Sequence, residues 1–473
     1  MWRSKATGVF ACLAAALSLA ACGGSTNSSG VTGNETASVF TVGTDAPLPS
    51  VISCQIMVSG VTLNGTGPNG NAISVNVLNG AQDVDFAKLS GLHQLIDLSA
   101  VPVGTYTSAT VMLSSAQIGY IDTTKNPPAI STLNGTFENQ TNGVDSVSVT
   151  FANPFVLQSN DVVGLRMEFD LAKSLQVVNG NITGQINPVM QMGLLNSTNA
   201  SVDIDDFHVG FVGATGTSTF TVQGPLGRDW QVSTNSSTVF DDPTIPISSY
   251  TTSTILSISG TIDAVTHDID ASEVNVISMN KFYLGGLFTS IRPAGQPATA
   301  ADVYIREELP VVVNNLQAGQ IFTLPLNGSE VYRIGNIDLP LTTLLFNNSM
   351  LAAGQSVDIG GVYSTNSNGD GSLVVKRVVL RRQGQEGSWN PGSTVIQTGN
   401  QGSFTINDQG TAGVLLPQPL TILTTNFTAF SGLSGLSALT GTTAIPLRVV
   451  GFVLINSTTG KATLVATAVQ AIS

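Results

Sequence analysis

The feature that most constrains this chain is an apolar period of two. Ile73, Val75 and Val77 alternate with polar neighbours, as do Val147, Val149 and Phe151. The longest case runs Val163, Leu165, Met167, Phe169, Leu171, with Arg166, Glu168 and Asp170 between them. Side chains at i, i+2 and i+4 share a face only in a β-strand, so these runs predict strands with one buried side. The outward positions are filled mostly by Thr, Ser and Asn, and only 10% of the 473 residues are charged. That scarcity excludes a coiled coil or helical repeat, which needs abundant Lys, Glu and Arg. A hydrophobic fraction of 42% excludes wholesale disorder. A formal charge of -13 and a pI near 4.5 repel phosphate backbones, so no nucleic-acid partner is expected. Turn signals such as Gly65-Thr66-Gly67-Pro68-Asn69-Gly70 and Asn179-Gly180-Asn181 separate the alternating runs. The expectation is an all-β chain of several modules.

The N-terminus reads as an address. Arg3 and Lys5 precede an apolar run from Val9 to Leu19, a length that suits a signal peptide and falls short of a membrane span. The run ends Leu19-Ala20-Ala21-Cys22, which resembles a bacterial lipobox. That resemblance implies cleavage after residue 21, lipidation at Cys22 and a tether to the membrane rather than passage through it. Gly23 after the cysteine implies, by likeness to Gram-negative sorting rules, the outer membrane of the cell envelope. Gly23 to Thr36 has linker composition. Loss of Arg3 and Lys5 moves the formal charge from -13 to -15. Cys54 then remains as the one cysteine neither removed nor lipidated, on the apolar face of Ile52 to Val58, so no disulfide framework is expected and the thiol reads as a small buried hydrophobe.

Residues 37–197 read as one β-sandwich of prealbumin or immunoglobulin-like type. Val101-Pro102-Val103-Gly104-Thr105-Tyr106 predicts a turn feeding a strand whose Tyr packs at the core edge. Thr44-Asp45-Ala46-Pro47 is read as following a first strand, and a second strand is predicted from Val51 to Leu63. Val84-Asp85-Phe86, Leu89, the 165–174 block LRMEFDLAKS and Ile186-Asn187-Pro188-Val189 complete an order of blocks. That order resembles the bacterial lipoprotein family known as domain-of-unknown-function family 4382. The departure is Asn187, where members often carry Lys before the proline. The resemblance brings no catalytic residue with it.

The C-terminal half reads as a degenerate repeat. Phe220-Thr221-Val222, Phe322-Thr323-Leu324 and Phe404-Thr405-Ile406 each lead to a strand carrying a glycine, at Gly260, Gly360 and Gly451. The starts lie 102 and 82 residues apart, too uneven for a solenoid, so three separate modules are expected at 198–280, 281–382 and 383–473. Each glycine is placed at a strand end, where a small barrel turns a corner. Asn366 to Gly371 (NSNGDG) is read as a hairpin turn. The pattern resembles domain-of-unknown-function family 5666, which implies tandem OB-like barrels and no particular activity.

Sites are sparse. His93, His208 and His267 are scattered, and no HExxH, GxSxG, P-loop or CxxC signature occurs, so no cofactor is expected. Asp203, Asp205 and Asp206, with His208, form the densest acidic group; the spacing is that of oxygen ligands for Ca²⁺, weighed against a solvated linker between modules. Asp268, Asp270 and Glu273 are read as a hairpin turn beside His267. Trp230 and Trp389, both in loop-like settings, are the candidates for stacking on a sugar. The expectation is a non-catalytic envelope lipoprotein whose modules bind a glycan or an envelope protein, or act as spacers. The alternative is a glycan-active hydrolase with a carboxylate pair assembled by the fold.

Overall fold

The computed structural model describes residues 36–472 except 47, 49, 79, 90–93, 127, 179–180, 196–200, 225–228, 241–245, 264–267, 278–280, 294–296, 310–315, 336–343, 366–370 and 409–414. The leader, Cys22, most of the linker, His93, His267, Asn179-Gly180 and most of the NSNGDG segment therefore lie outside the described residues. From Glu35 to Ser473 the chain forms one compact unit. Its described part is almost entirely strand, with one four-residue α-helix at Leu171–Ser174 and a few 3-10 turns. Among the described residues no helix is long and apolar enough to cross a membrane.

The first module is a sandwich of two sheets. One sheet runs Met190–Leu194, Val162–Asp170, Thr36–Ala46, Gln94–Pro102, with the middle two strands parallel. The other is built on the long antiparallel pair Val51–Thr66 and Gly104–Asp122. Alternation delivers Val39, Leu165, Met167 and Phe169 from the first sheet and Cys54, Ile56, Val58, Val61 and Tyr106 from the second into one core. The Cys54 thiol is buried. Tyr106 is also buried, stacks on Phe155 and donates its hydroxyl to the Pro102 carbonyl at 2.8 Å, which pins the turn before it. The first strand runs through Thr44-Asp45-Ala46 rather than ending before them, because Ala46 still pairs with Asp170 in the parallel ladder.

Three units follow, each built on five principal strands with one or two short ones added. In the first, Ser201–Ala214, Thr219–Gln223 and Asp229–Ser233 form a meander, and Ile255–Asp263 pairs with both the first strand and Ile269–Ile277. The fifth strand returns parallel to the third, at Val232↔Ile269, and closes the barrel. The third unit repeats this connectivity with Gln383–Trp389, Gln401–Asp408, Leu420–Ser431, Pro446–Asn456 and Ala462–Ala471, closed by the parallel pair Thr421↔Thr463. This is the connectivity of an OB-like barrel. Barrel one adds a short strand, Val239–Phe240, also parallel to its fifth, and the second unit closes through such a strand alone. Lys281–Arg292, Ala300–Leu309, Ile321–Pro325, Ser356–Thr365 and Gly371–Leu380 take the five positions, but a separate strand, Val331–Ile334, makes the parallel pairing with the fifth.

The repeated glycine sits inside the fourth strand of each barrel, not at its end. Register slips at Ser259/Gly260, Gly360/Gly361 and Val450/Gly451, so all three fourth strands bulge at one equivalent point. A Cβ there would meet the Asp270, Val374 or Val465 carbonyl oxygen at 2.1, 2.2 or 2.0 Å. The fifth strand crosses so closely that only glycine fits. In the second barrel the critical residue is Gly361, one beyond the Gly360 that sequence spacing picks out. The Phe-Thr-aliphatic segments are less equivalent: Phe220 and Phe404 lie on second strands, Phe322 on a third strand opposite Val303.

Gly361→Ala should lower the unfolding free energy by about 1–3 kcal/mol, the cost of overpacking a close-packed site. Urea denaturation followed by circular dichroism checks this. Gly392→Ala is a poor comparison because its φ is +80°, whereas Gly193→Ala, with open space around it, should change little.

Candidate functional site

The residues singled out in the sequence do not converge. Trp230 lies in a strand and Trp389 closes one, both buried in barrel cores at 3% and 0% exposure, so neither offers an indole face to a sugar. Their loop-like surroundings misled: Gly, Asn and Pro next to Trp389 belong to the turn after it, while its Nε1 donates to Thr394 Oγ1 at 3.0 Å. Asp203, Asp205 and Asp206 are not a linker between modules. They lie in the first strand of barrel one, and the slip between Ile204 and Phe207 places Asp205 and Asp206 in a bulge. Their side chains are outside the described residues. Asp270 is exposed on a strand, but Glu273 is buried, which corrects its reading as a turn residue. Among the described residues no group of three His, Cys, Asp or Glu is disposed to hold a metal ion.

Glu273 belongs to the seam between barrels one and two. Arg381 Nη1 lies 2.7 Å from Glu273 Oε2, and Arg381 Nε donates to Asp358 Oδ2. All three side chains are buried. Asn275 Nδ2 also donates to Glu273 Oε1 at 2.8 Å. Arg333 Nη1 adds a bond to the Phe240 carbonyl of barrel one at 3.1 Å. These contacts fix the walls of a cleft.

The cleft, a cavity of about 260 Å³, is lined by Val276 and Ile277 at the end of barrel one and by barrel-two residues. Among the described residues that line it, four are cations, Lys281, Arg333, Lys376 and Arg377, and none is a carboxylate. The chain has 17 Lys and Arg in total and is formally -13, so this is a concentration of positive charge in an acidic protein. Local geometry explains it. Arg377 pairs with Gly360 across the fourth and fifth strands, and a Cβ on Gly360 would stand 3.2 Å from Arg377 Nη2. The guanidinium thus lies across a residue with no side chain. Lys281 is set opposite Val362, and Phe282 and Tyr283 form a buried floor. Sequence spacing missed this group because Lys281 and Arg377 are separated by most of a barrel.

A second charged region joins barrel two to the sandwich. Arg306 donates from Nε and Nη2 to the Ile52 carbonyl at 2.9 and 2.6 Å, Gln55 Nε2 donates to the Arg306 carbonyl, and Ser53 Oγ meets the Tyr304 hydroxyl at 2.7 Å. Around them lie Asp83, Asp85, Glu307 and Glu308. Asp85 Oδ1 accepts from Cys54 N at 2.7 Å, and Glu307 Oε1 lies 2.8 Å from His208 Nδ1. His208 in turn meets Tyr283 edge-on, with ring centroids 5.2 Å apart. Burial raises the Asp85 carboxyl above its ordinary value against the pull of Arg306; burial, then Asp85 and Glu307, raise Asp83. Burial pushes Glu308 up to about 7, opposed by the Ala318 N–H and reinforced by Glu307 and Asp83.

The molecule is thus an all-β protein, a sandwich followed by OB-like barrels, with a cationic cleft between two of the barrels. Residues 36–188, the sandwich, match the family model described as "Domain of unknown function (DUF4382)". No curated protein matches the chain. A solved structure titled "drosophila Unr CSD456" is similar at 8% identity, covering 57% of this chain and 97% of that one, with a TM-score of 0.13.

Two outcomes are expected. Arg381→Leu leaves Glu273 and Asp358 buried without their cation and should cost about 3–5 kcal/mol, measured by urea denaturation. Glu308 holds its proton more tightly folded than unfolded, so its contribution falls as pH rises from its ordinary 4.5 through about 7. Stability measured across that window should decline with pH, and less steeply in Glu308→Gln.

Proposed function

We propose that this chain is a lipid-anchored cell-envelope protein, tethered to the outer membrane through Cys22, whose β modules bind a ligand without turning it over. The observation that carries the binding half is the cleft: cations gather around a pocket with no carboxylate among its described lining residues. Hydrolysis of a glycosidic bond by the usual pair needs two carboxylates flanking the scissile bond. Carboxylates elsewhere are already engaged: buried Glu273 of barrel one and Asp358 of barrel two on Arg381, and half-buried Glu386 on Arg448 at 2.7 Å within barrel three. The anchoring half rests on the Leu19-Ala20-Ala21-Cys22 motif with its basic and apolar lead-in. The resemblance of the repeated segments to domain-of-unknown-function family 5666 accords with a chain assembled from tandem barrels. An acylated N-terminus followed by Gly/Ser-rich residues would hold those barrels off the bilayer as a binding platform.

Cys22→Ala should move the protein from the membrane to the soluble fraction; a variant that still sediments with membranes refutes the anchor. Full-length protein incubated with labelled envelope glycans should retain label without releasing new reducing ends. Measurable hydrolysis would refute the non-catalytic reading.

A further inference from the structure

We infer that the cleft between barrels one and two binds a compact organic oxyanion, a sugar-sized molecule bearing phosphate or carboxylate groups. The inference deepens the binding reading and rests on it. Lys281, Arg333, Lys376 and Arg377 line one cavity of about 260 Å³, with no carboxylate among its described lining residues. Protein pockets for drug-sized ligands run upward from roughly 300 Å³, so this cavity suits about one ring with its charged substituents rather than a polymer laid through it. The cations reach it from different strands: Lys281 opens the first, Lys376 and Arg377 lie on the fifth, and Arg333 lies on the extra strand Val331–Ile334. Guanidinium groups bind phosphate or carboxylate with paired N–H bonds, and ammonium groups add point charge.

The non-charged lining supports an organic body on the anion. Val331 and Val362 are exposed at 50% and 39%, although both line the cleft. A bare inorganic ion gains nothing from them, whereas the carbon face of a sugar ring covers them. Gly360 and Gly361 present backbone rather than side chains on the same wall, and the Arg377 guanidinium lies against Gly360. The walls are set before any ligand arrives, since Arg333 is tied to the Phe240 carbonyl and Arg381 spans Glu273 and Asp358 beside the cleft. Preset walls lower the ordering cost of binding.

The test is calorimetric titration of the full chain in detergent with glucose 6-phosphate, galacturonate and glucose. At least one of the two anions should bind, glucose should not, and the preferred anion identifies phosphate or carboxylate as the natural group. Affinity should fall with added salt. Lys281→Gln and Lys376→Gln should each weaken binding by about tenfold, the loss of one charge-assisted contact. Exposed Lys461→Gln should not change it, and thermal melts confirm that each variant is folded. Glucose binding as tight as glucose 6-phosphate overturns the oxyanion inference and leaves the binding reading standing. So does anion binding that persists unchanged in the Lys281→Gln, Lys376→Gln double variant, since the site then lies elsewhere. Failure of both anions to bind also overturns it.

Discussion

Closing five strands into a barrel demands that the fourth strand pass close over the fifth, and in this chain that approach is made at a residue without a Cβ. The separation is set by the backbone itself: the neighbouring carbonyl oxygens stand about where a side chain would begin. The bulge that accompanies each glycine increases local twist and re-aims the side chains beyond it. In barrel two, the consequences extend to the site. Gly361 brings the fourth strand against Val374 and Phe282, and Gly360 beside it leaves room for Arg377. The residue pair that closes the barrel therefore also forms a wall of the cleft. Fold and site are not separable at this point.

Sparse charge has a structural meaning as well. A chain with 10% charged residues cannot solvate its surface with ions, and the outward Thr, Ser and Asn of its strands serve instead. Many of its ionic groups lie at seams. Arg306 caps the Ile52 carbonyl of the sandwich, Arg381 joins barrels one and two, and Gln355 Nε2 of barrel two donates to the Val453 carbonyl of barrel three at 3.0 Å. Buried ion pairs add little net stability over apolar packing, but losing one partner is costly. Their effect is to make one arrangement of neighbours far better than its alternatives. Apolar contacts do the bulk of the burial across the same seams: Phe40 of the sandwich enters the core of barrel one, and Phe452 and Leu454 of barrel three enter that of barrel two.

Much of the fold was legible because strand alternation is a local property. Leu165, Met167 and Phe169 announce their shared face within a few residues, and the fourth-strand glycines stand out because Gly is poorly suited to a strand interior without a reason. The errors have physical causes too. Trp389 sits among turn residues, yet its ring points back into the barrel, a direction composition does not encode. Glu273 lies near turn-forming Asp residues, but its partner Arg381 is in another module. Phe322 imitates Phe220 and Phe404 because any strand in a small barrel wants an aromatic on its inner face and a polar residue outside. A three-residue pattern thus recurs on different strands, and alignment by it shifts barrel two out of step.

That misalignment leads to the cleft. Barrels one and three close by a direct parallel pairing of the third and fifth strands. In barrel two the third strand stops at Pro325, the chain turns through Asn327 to Glu330, and Val331–Ile334 takes over the pairing along Arg377 to Leu380. The turn is held by the buried Glu330 carboxylate, which accepts from the Asn327 and Gly328 N–H groups. This handover adds Val331 and Arg333 to the cleft wall, and Arg333 then ties that wall to barrel one. Barrel one carries a short strand, Val239–Phe240, in the equivalent parallel pairing beside its direct closure, and the Phe240 carbonyl is the group that Arg333 meets. The strand that closes barrel two thus supplies a cation, an exposed apolar contact and a link between the two walls, all at the same cavity. Local irregularity with its own stabilising hydrogen bonds, placed where the charge gathers, is how a common scaffold acquires a particular binding site.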